Sequence, residues 1–316
     1  MRIALTGATG FVGRAVMRQL AARNHEVSVL VRKPAQFTDS GEARVVAGDL
    51  FNKMALADLV KGADAVLHLA GAIKALRREG YFAANRDGTA NLAEAAQAAG
   101  ARRFVHVSSL AAREPQLSDY AASKRAAEEV LSTHAAAMNI LIVRASAVYG
   151  PGDVATLPLL KALTGSLAVF PGRSEQRFSL IHVDDLAAVL CEALERDTTG
   201  TIEVDDLSGG HDWAELIDLT QAAYDRPGRH IFVPYAVAAV AGFAGDVLAA
   251  VTGQPQMLSS GKMRELYHPD WVAAGRNWPR SHPIGLGQGL PETIRAYQAE
   301  GKLPHLDGPD RSEHHD

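Results

Sequence analysis

The first half of the chain alternates short apolar runs with longer stretches of helical periodicity. "RIALTG" (2–7) gives way to "FVGRAVMRQLAARN" (11–24), and "EVSVLVR" (26–32) leads to the acidic turn "GDLFN" (48–52). "ADAVLHLAG" (63–71) precedes a helical stretch through "YFAANRDGTANLAEAAQAAG" (81–100); "RRFVHVSS", "YAASKRAAEEVLSTHAAAM" and "NILIVRASAVYG" come next. The strand runs are apolar on both alternating faces, so both faces are buried. Strand, helix, strand, repeated, predicts an α/β fold: a Rossmann doubly wound parallel sheet with right-handed crossovers. After "YGPGD" (149–153) the alternation decays, although "RFSLIHVDDLAAVLCEALE" and "TIEVDD" read as elements returning to the sheet. The expected division is a sheet domain over 1–150 with returning elements at about 178–207. A smaller, interleaved C-terminal substrate lobe takes 151–177 and 208–304, and a polar tail, 305–316, is expected to be disordered.

Composition narrows the class. A chain of 316 residues, 47% hydrophobic and 22% charged, can bury one large core or two domains. A net charge of −4 without a long basic block argues against a nucleic-acid partner. The single cysteine, Cys191, excludes an internal disulfide, and the twelve histidines lack metal-ligand spacing, so no metal is expected. The first strand starts at the N-terminus, leaving no room for a signal peptide, and a cytoplasmic protein is expected. Residues 231–253, "IFVPYAVAAVAGFAGDVLAAVTG", are long and apolar, but Pro234, Asp246 and many Ala and Gly argue against a membrane span. A buried or groove-lining helix is the favoured reading, with peripheral membrane contact the alternative.

"TGATGFVG" places Gly7, Gly10 and Gly13 between the first strand and the first helix. A dinucleotide pyrophosphate needs that arrangement: Gly7 for the sharp turn, Gly10 for close backbone approach, and Gly13 for tight helix packing. The backbone of Thr9, Phe11 and Val12 at the helix start faces the anion. After the second strand the chain carries Arg32 and Lys33 where an NAD site usually presents a carboxylate, so NADP(H) is the preferred cofactor and NAD(H) the alternative. Asp49 and Leu50 of "GDL" are assigned to the adenine end. Leu69, Ala70 and Gly71 of "HLAG" are assigned to the ribose.

Tyr120 and Lys124, in "YAASK", lie one helical turn apart, a spacing that also arises by chance. The ordered set of TGATGFVG, GDL, HLAG, "NRDGTANL", "VSS" (107–109), YAASK, "VYGPG" and "IHVDDLA" nevertheless resembles the extended short-chain dehydrogenase/reductase superfamily over about the first 190 residues. That group includes NAD(P)-dependent epimerases and dehydratases, 3β-hydroxysteroid dehydrogenase-like reductases and complex I accessory-subunit-like members. The resemblance implies Tyr120 as proton donor or acceptor, with Lys124 favouring its phenolate and holding the nicotinamide ribose. It implies Ser109 as the group that stabilises the reacting oxygen, with Ser108 beside the ring and backbone contact near Val148. By the same analogy helices 82–99 and 119–136 pair two copies into a homodimer.

Three departures set limits. Tyr120 follows Ser109 by only eleven positions, and Leu110 and Ala111 stand where a dehydratase would carry an acidic pair. Phe178 occupies the place of a sugar-diphosphate-binding arginine, with Arg177 one residue earlier, on the opposite face of an extended strand. The expected activity is NADP(H)-dependent hydride transfer to or from a carbonyl or secondary alcohol of a small or hydrophobic metabolite. A sugar epimerase using NAD, or a non-catalytic cofactor-binding protein, is the alternative.

Overall fold

The computed structural model describes residues 1–37, 43–164, 167–224, 229–254, 256, 258–275 and 277–304; the tail expected to be disordered lies outside them. The first half runs β1 (Arg2–Thr6), α1 (Phe11–Ala21), β2 (Glu26–Val31), β3 (Arg44–Ala47), α2 (Lys53–Val60), β4 (Ala65–His68), α3 (Arg78–Phe82), α4 (Gly88–Ala98), β5 (Arg103–Ser109), α5 (Asp119–Ser132) and β6 (Asn139–Ala145). The second runs β7 (Ala147–Tyr149), α6 (Leu157–Leu163), β8 (Leu167–Pro171), β9 (Arg177–Phe178), β10 (Leu180–His182), α7 (Val183–Glu195), β11 (Gly200–Val204), β12 (His211–Asp212), α8 (Trp213–Tyr224), β13 (Arg229–Val233), α9 (Tyr235–Thr252), α10 (Ser260–Leu266), β14 (Asp270–Trp271) and α11 (Leu286–Ala299).

Seven parallel strands in the order β11-β6-β5-β4-β1-β2-β3 form the central sheet, the doubly wound α/β architecture expected from the strand and helix pattern. Strand periodicity sorts its side chains onto two faces. Ile3, Leu5, Leu67, Val105 and Leu141 pack with α1 and α7, whereas Ala4, Val66, Phe104 and Ile140 pack with α2 and α4. The strand order reverses where β1 lies between β2 and β4, and the carboxyl ends of the strands there border a crevice.

Beyond the sheet the chain forms short ladders, and of the elements expected to return to the sheet only α7 and β11 do, β10 pairing with β7 instead. β7 pairs with β10, β8 with β13, and β9 lies between β12 and β14. The core there gathers Leu160, Phe170, Trp213, Leu216, Leu290 and Tyr297. Three local readings change. "NILIVRASAVYG" is two strands, because the Ser146 N–H donates to Val204 O (3.1 Å) and the chain then leaves the sheet to pair with β10. The helix expected over 81–100 contains a π turn at Ala83–Asp87. The expectation that 231–253 is buried fails: of the residues in α9 only Ala238 and Gly242 are buried, although its inner side does line a groove.

Two histidines sit side by side in the sheet, paired in register on β4 and β5 with ring centroids 5.2 Å apart. Burial and the charge of Lys124 push His68 down to about 3 and His106 well below its ordinary value. The unfolded chain binds protons that the folded chain refuses, so stability falls as pH drops below about 6.5. We expect a loss of about 1.4 kcal/mol per pH unit for each histidine in urea unfolding between about pH 6 and 4.5. His106→Leu, which removes a ring with neither nitrogen hydrogen-bonded among the described residues, is expected to halve that slope.

Candidate active site

The glycine turn packs as its spacing predicts. Gly7 adopts φ +83°, and a Cβ there would lie 2.8 Å from Ala70 N. A Cβ on Gly13 would lie 2.1 Å from the Gly7 carbonyl oxygen, whereas one on Gly10 would meet only that oxygen, at 3.3 Å. Gly10 is the N-cap of α1, no side chain caps the helix, and its first turn carries no acid. The leading N–H groups of a helix have no partner within it, so Phe11, Val12 and Gly13 at this terminus suit a pyrophosphate. Thr9 accepts from Arg14 Nη1 through its carbonyl (2.9 Å). The residues present therefore fit a dinucleotide.

Arg32 and Lys33 are exposed directly after β2. Asp49 Oδ1 accepts from the N–H groups of Phe51 (2.9 Å) and Asn52 (3.1 Å), closing the turn into α2. Leu50 packs against Gly88, and its carbonyl accepts from Asn91. At the ribose end, a Cβ on Gly71 would lie 2.7 Å from Asn85 Oδ1. Asn85, in the π turn, grips this segment: Oδ1 accepts from Ala72 N (2.7 Å), while Nδ2 donates to Ala72 O (3.0 Å) and Ser123 Oγ (2.8 Å). A second chain of bonds runs from Ala70 N to Thr6 Oγ1, on to His68 Nδ1, from His68 Nε2 to Thr89 Oγ1, and from Thr89 to the Asn85 carbonyl.

Ser109, Tyr120 and Lys124 meet at the end of β5. Ser118 caps α5 by accepting from Ala121 N (2.9 Å), and this cap sets where the helix begins relative to the strand. Lys124 Nζ donates to Val107 O (2.7 Å), and burial brings its pKa down to about 8 against the opposing pull of Glu128. Burial pushes Tyr120 up to about 12, with the Ser109 hydroxyl opposing through a hydrogen bond. The expected lowering of Tyr120 by Lys124 does not appear: desolvation dominates, the charge of Glu265 acts in the same direction, and the ammonium is directed at the strand carbonyl. Ser108 borders the same cavity, but its hydroxyl donates to Glu128 Oε1 (2.6 Å), and Glu128 also pairs with Arg144 (2.7 Å).

Beyond this cluster opens a cavity of about 890 Å³, bordered by Val12, Leu69, Gly71, Val148 and the Ser-Tyr-Lys group. Gly7, Thr9, Gly10, Phe11, Gly13, Arg32, Lys33, Asp49, Leu50 and Ala70 lie outside its lining, toward the other end of the dinucleotide crevice. Arg177 also lies outside, with Nη2 donating to the carbonyls of Gly209 and Gly210, while Phe178 faces inward.

Sequence reasoning missed several lining residues. Trp213 and Trp271 stand 58 positions apart in the sequence, yet the ladder β12-β9-β14 brings both beside Phe178. The Trp213 ring lies 5.0 Å from Phe178 and 5.6 Å from Phe170. Tyr81 stands edge-on to Tyr120 at 6.3 Å. Glu265 is buried at the cavity wall, bonded to the Ser118 hydroxyl and to Lys262. Only the "YFAANRD" stretch, within which the helix changes pitch, offered a local signal for any of them.

A helix N-terminus behind a glycine turn, at the switch point of a doubly wound sheet and beside a Ser-Tyr-Lys cavity, defines an NAD(P)-binding protein of the extended short-chain dehydrogenase/reductase class. Residues 3–204 match the model of the NAD dependent epimerase/dehydratase family, and the chain belongs to that family of oxidoreductases and epimerases. It is 42% identical over 308 residues, 96% of both chains, to a protein of Caulobacter vibrioides named ceramide reductase. It is 34% identical to a Streptomyces 3-diazoavenalumate denitrifying reductase, covering 65% of this chain and 76% of that one. In fold it is similar to Bordetella bronchiseptica WbmH in complex with NAD+ (TM-score 0.72, 18% identity, 95% of this chain and 99% of that chain). It is also similar to a UDP-N-acetylglucosamine 4-epimerase of Methanobrevibacter ruminantium (TM-score 0.73, 18% identity, 95% and 98%).

The two glycines separate fold from ligand. Gly13→Ala forces backbone apart and is expected to lower stability by about 1–3 kcal/mol. Gly10→Ala meets only a 3.3 Å contact and is expected to keep the unfolding midpoint while weakening dinucleotide affinity at least tenfold. Thermal unfolding with and without NAD(P)H measures both.

Proposed function

We propose that the chain is an NADPH-dependent reductase that converts a ketone on a long-chain, ceramide-like lipid to a secondary alcohol. The carrying observation is the cavity directly beyond Ser109 and Tyr120, walled by Leu110, Leu159, Phe178, Trp213, Leu216 and Trp271. Such a wall suits hydrocarbon, and the relative at 42% identity over 96% of both chains is named for a lipid. An amide carbonyl is deactivated by resonance, so the ketone is the better hydride acceptor on such a molecule. The sugar-epimerase reading loses its diphosphate clamp, because Arg177 is engaged by two backbone carbonyls outside the cavity.

The bound dinucleotide supplies the hydride. Ser109 donates a hydrogen bond to the ketone oxygen and steadies the charge that grows there. Tyr120 gives its proton to that oxygen, which completes the alcohol and leaves the phenolate. With its pKa near 12, Tyr120 is a neutral phenol at neutral pH, and an alkoxide is basic enough to take its proton. Lys124 places a positive charge at the same end of β5, and Arg32, exposed after β2, would pair with the 2′-phosphate of a bound NADPH.

Tyr120→Phe is expected to lower kcat for ketone reduction by about 10²–10⁴-fold with the NADPH dissociation constant unchanged; undiminished turnover would remove Tyr120 from the mechanism. The reverse oxidation needs the phenolate, so its rate is expected to rise about tenfold per pH unit from about pH 6.5 to 9, while reduction stays flat near neutrality. Arg32→Ala is expected to raise KM for NADPH at least tenfold and leave KM for NADH within about twofold. Initial-rate kinetics with the two cofactors checks that preference.

A further inference from the structure

α9 is built inside out. Its large side chains Val237, Val240, Phe243, Val247, Leu248 and Val251 are between 47% and 79% exposed, while the small residues Ala238 and Gly242 face inward and are buried. At about 100° per residue the six exposed side chains fall within an arc of roughly 140°, opposite Ala238 and Gly242. The inner side packs closely on α10 and the segment leading into it. A Cβ on Gly242 would lie 2.8 Å from Met263 Cγ, and one on Gly245 would lie 2.0 Å from Leu258 O. The helix's one charged residue, Asp246, accepts from Ser260 N (3.1 Å). The outward stripe therefore carries no charge, and the helix is apolar and long enough to meet the composition of a span while packing on the protein through Ala238, Gly242, Gly245 and Asp246.

A second exposed segment shares the cavity with it. Residues 73–77 include Ile73, 69% exposed, and Leu76, 41% exposed, flanked by exposed Lys74 and Arg77. Among the described residues neither cation pairs with a carboxylate. This segment and Gly245, Asp246 and Ala249 of α9 line the same cavity. An apolar stripe and an apolar loop with unpaired cations beside one cavity match the chemistry of an anionic lipid surface, where acyl chains take the apolar side chains and headgroups take the cations.

We propose that α9 and residues 73–77 seat the protein on an anionic bilayer, with α9 lying in the interfacial plane and the cavity beside the acyl chains. A lipid ketone then passes from the membrane to Ser109 and Tyr120 without crossing water. The surface rests on its own side chains, and binding to lipid is measured independently of turnover.

The test is cosedimentation of the full chain with phosphatidylcholine vesicles prepared with and without phosphatidylglycerol. Binding is expected to rise at least tenfold with the anionic lipid. The double variant Val240→Asp/Phe243→Asp, altered only on the outward stripe, is expected to lose at least tenfold in binding while retaining its thermal midpoint and its turnover of a water-soluble ketone. Lys74→Glu/Arg77→Glu, which spares the helix, is expected to abolish the preference for anionic vesicles. Absence of vesicle binding by the unaltered protein overturns the proposal. So does a dimer mass in light scattering that the Val240→Asp/Phe243→Asp variant converts to monomer, because a second copy would then cover the stripe. Binding indifferent to both double variants also overturns it.

Discussion

Lys124 carries an ammonium into the interior, where an unpartnered ion costs several kcal/mol, and the Val107 carbonyl receives it at 2.7 Å. That bond requires α5 to cross the carboxyl end of β5, which places Tyr120, one turn earlier, against Ser109. Burial holds the neighbouring histidines neutral, and the Lys124 charge adds to it. Neutrality matters for His68, which accepts from Thr6 and donates to Thr89. An imidazolium has two donors and no acceptor, so protonation would break the chain of bonds that ties the turn at Ala70 to Asn85.

Around this charge lies an ionic frame that joins the sheet to the lobe. Glu128 binds Ser108 and Arg144, and Arg144 reaches Glu203 on β11. Glu203 in turn accepts from Arg113 and from the N–H groups of Ala274 and Gly275. The short loop after Ser109, which departs from the resembling family, is thereby fastened: Arg113 also donates to Val272 O at 2.8 Å. The departure thus has a mechanical counterpart in how the cavity wall is held.

The chemistry of the reacting end and of the substrate end come from different scales of structure. Ser109, Tyr120 and Lys124 depend on one strand and the helix after it, so short local motifs carry the family resemblance that names them. The aromatic wall depends on β9 pairing with two strands distant in sequence, so "QRFSL", "HDWAEL" and "HPDWVA" show nothing in isolation. Burial direction was equally hidden for α9. Its apolar residues read as core because hydrophobicity is normally buried, yet the close approach allowed by Gly242 and Gly245 turns the large side chains outward.

Apolar runs, helical periodicity and the glycines at 7, 10 and 13 made most elements, the doubly wound class and the glycine turn legible, because these patterns act between near neighbours. The sequence also offered Ser109, Tyr120 and Lys124, through the family resemblance, and Arg32, from its place after the second strand, as candidates. Only the tertiary structure decided that Ser108 is engaged by Glu128, that Gly71 is small because Asn85 lies against it, and that Tyr120 is driven up rather than down. Each of these is a sum over contacts from residues far apart in the chain. Desolvation in particular depends on everything packed around a group, which no local spacing records.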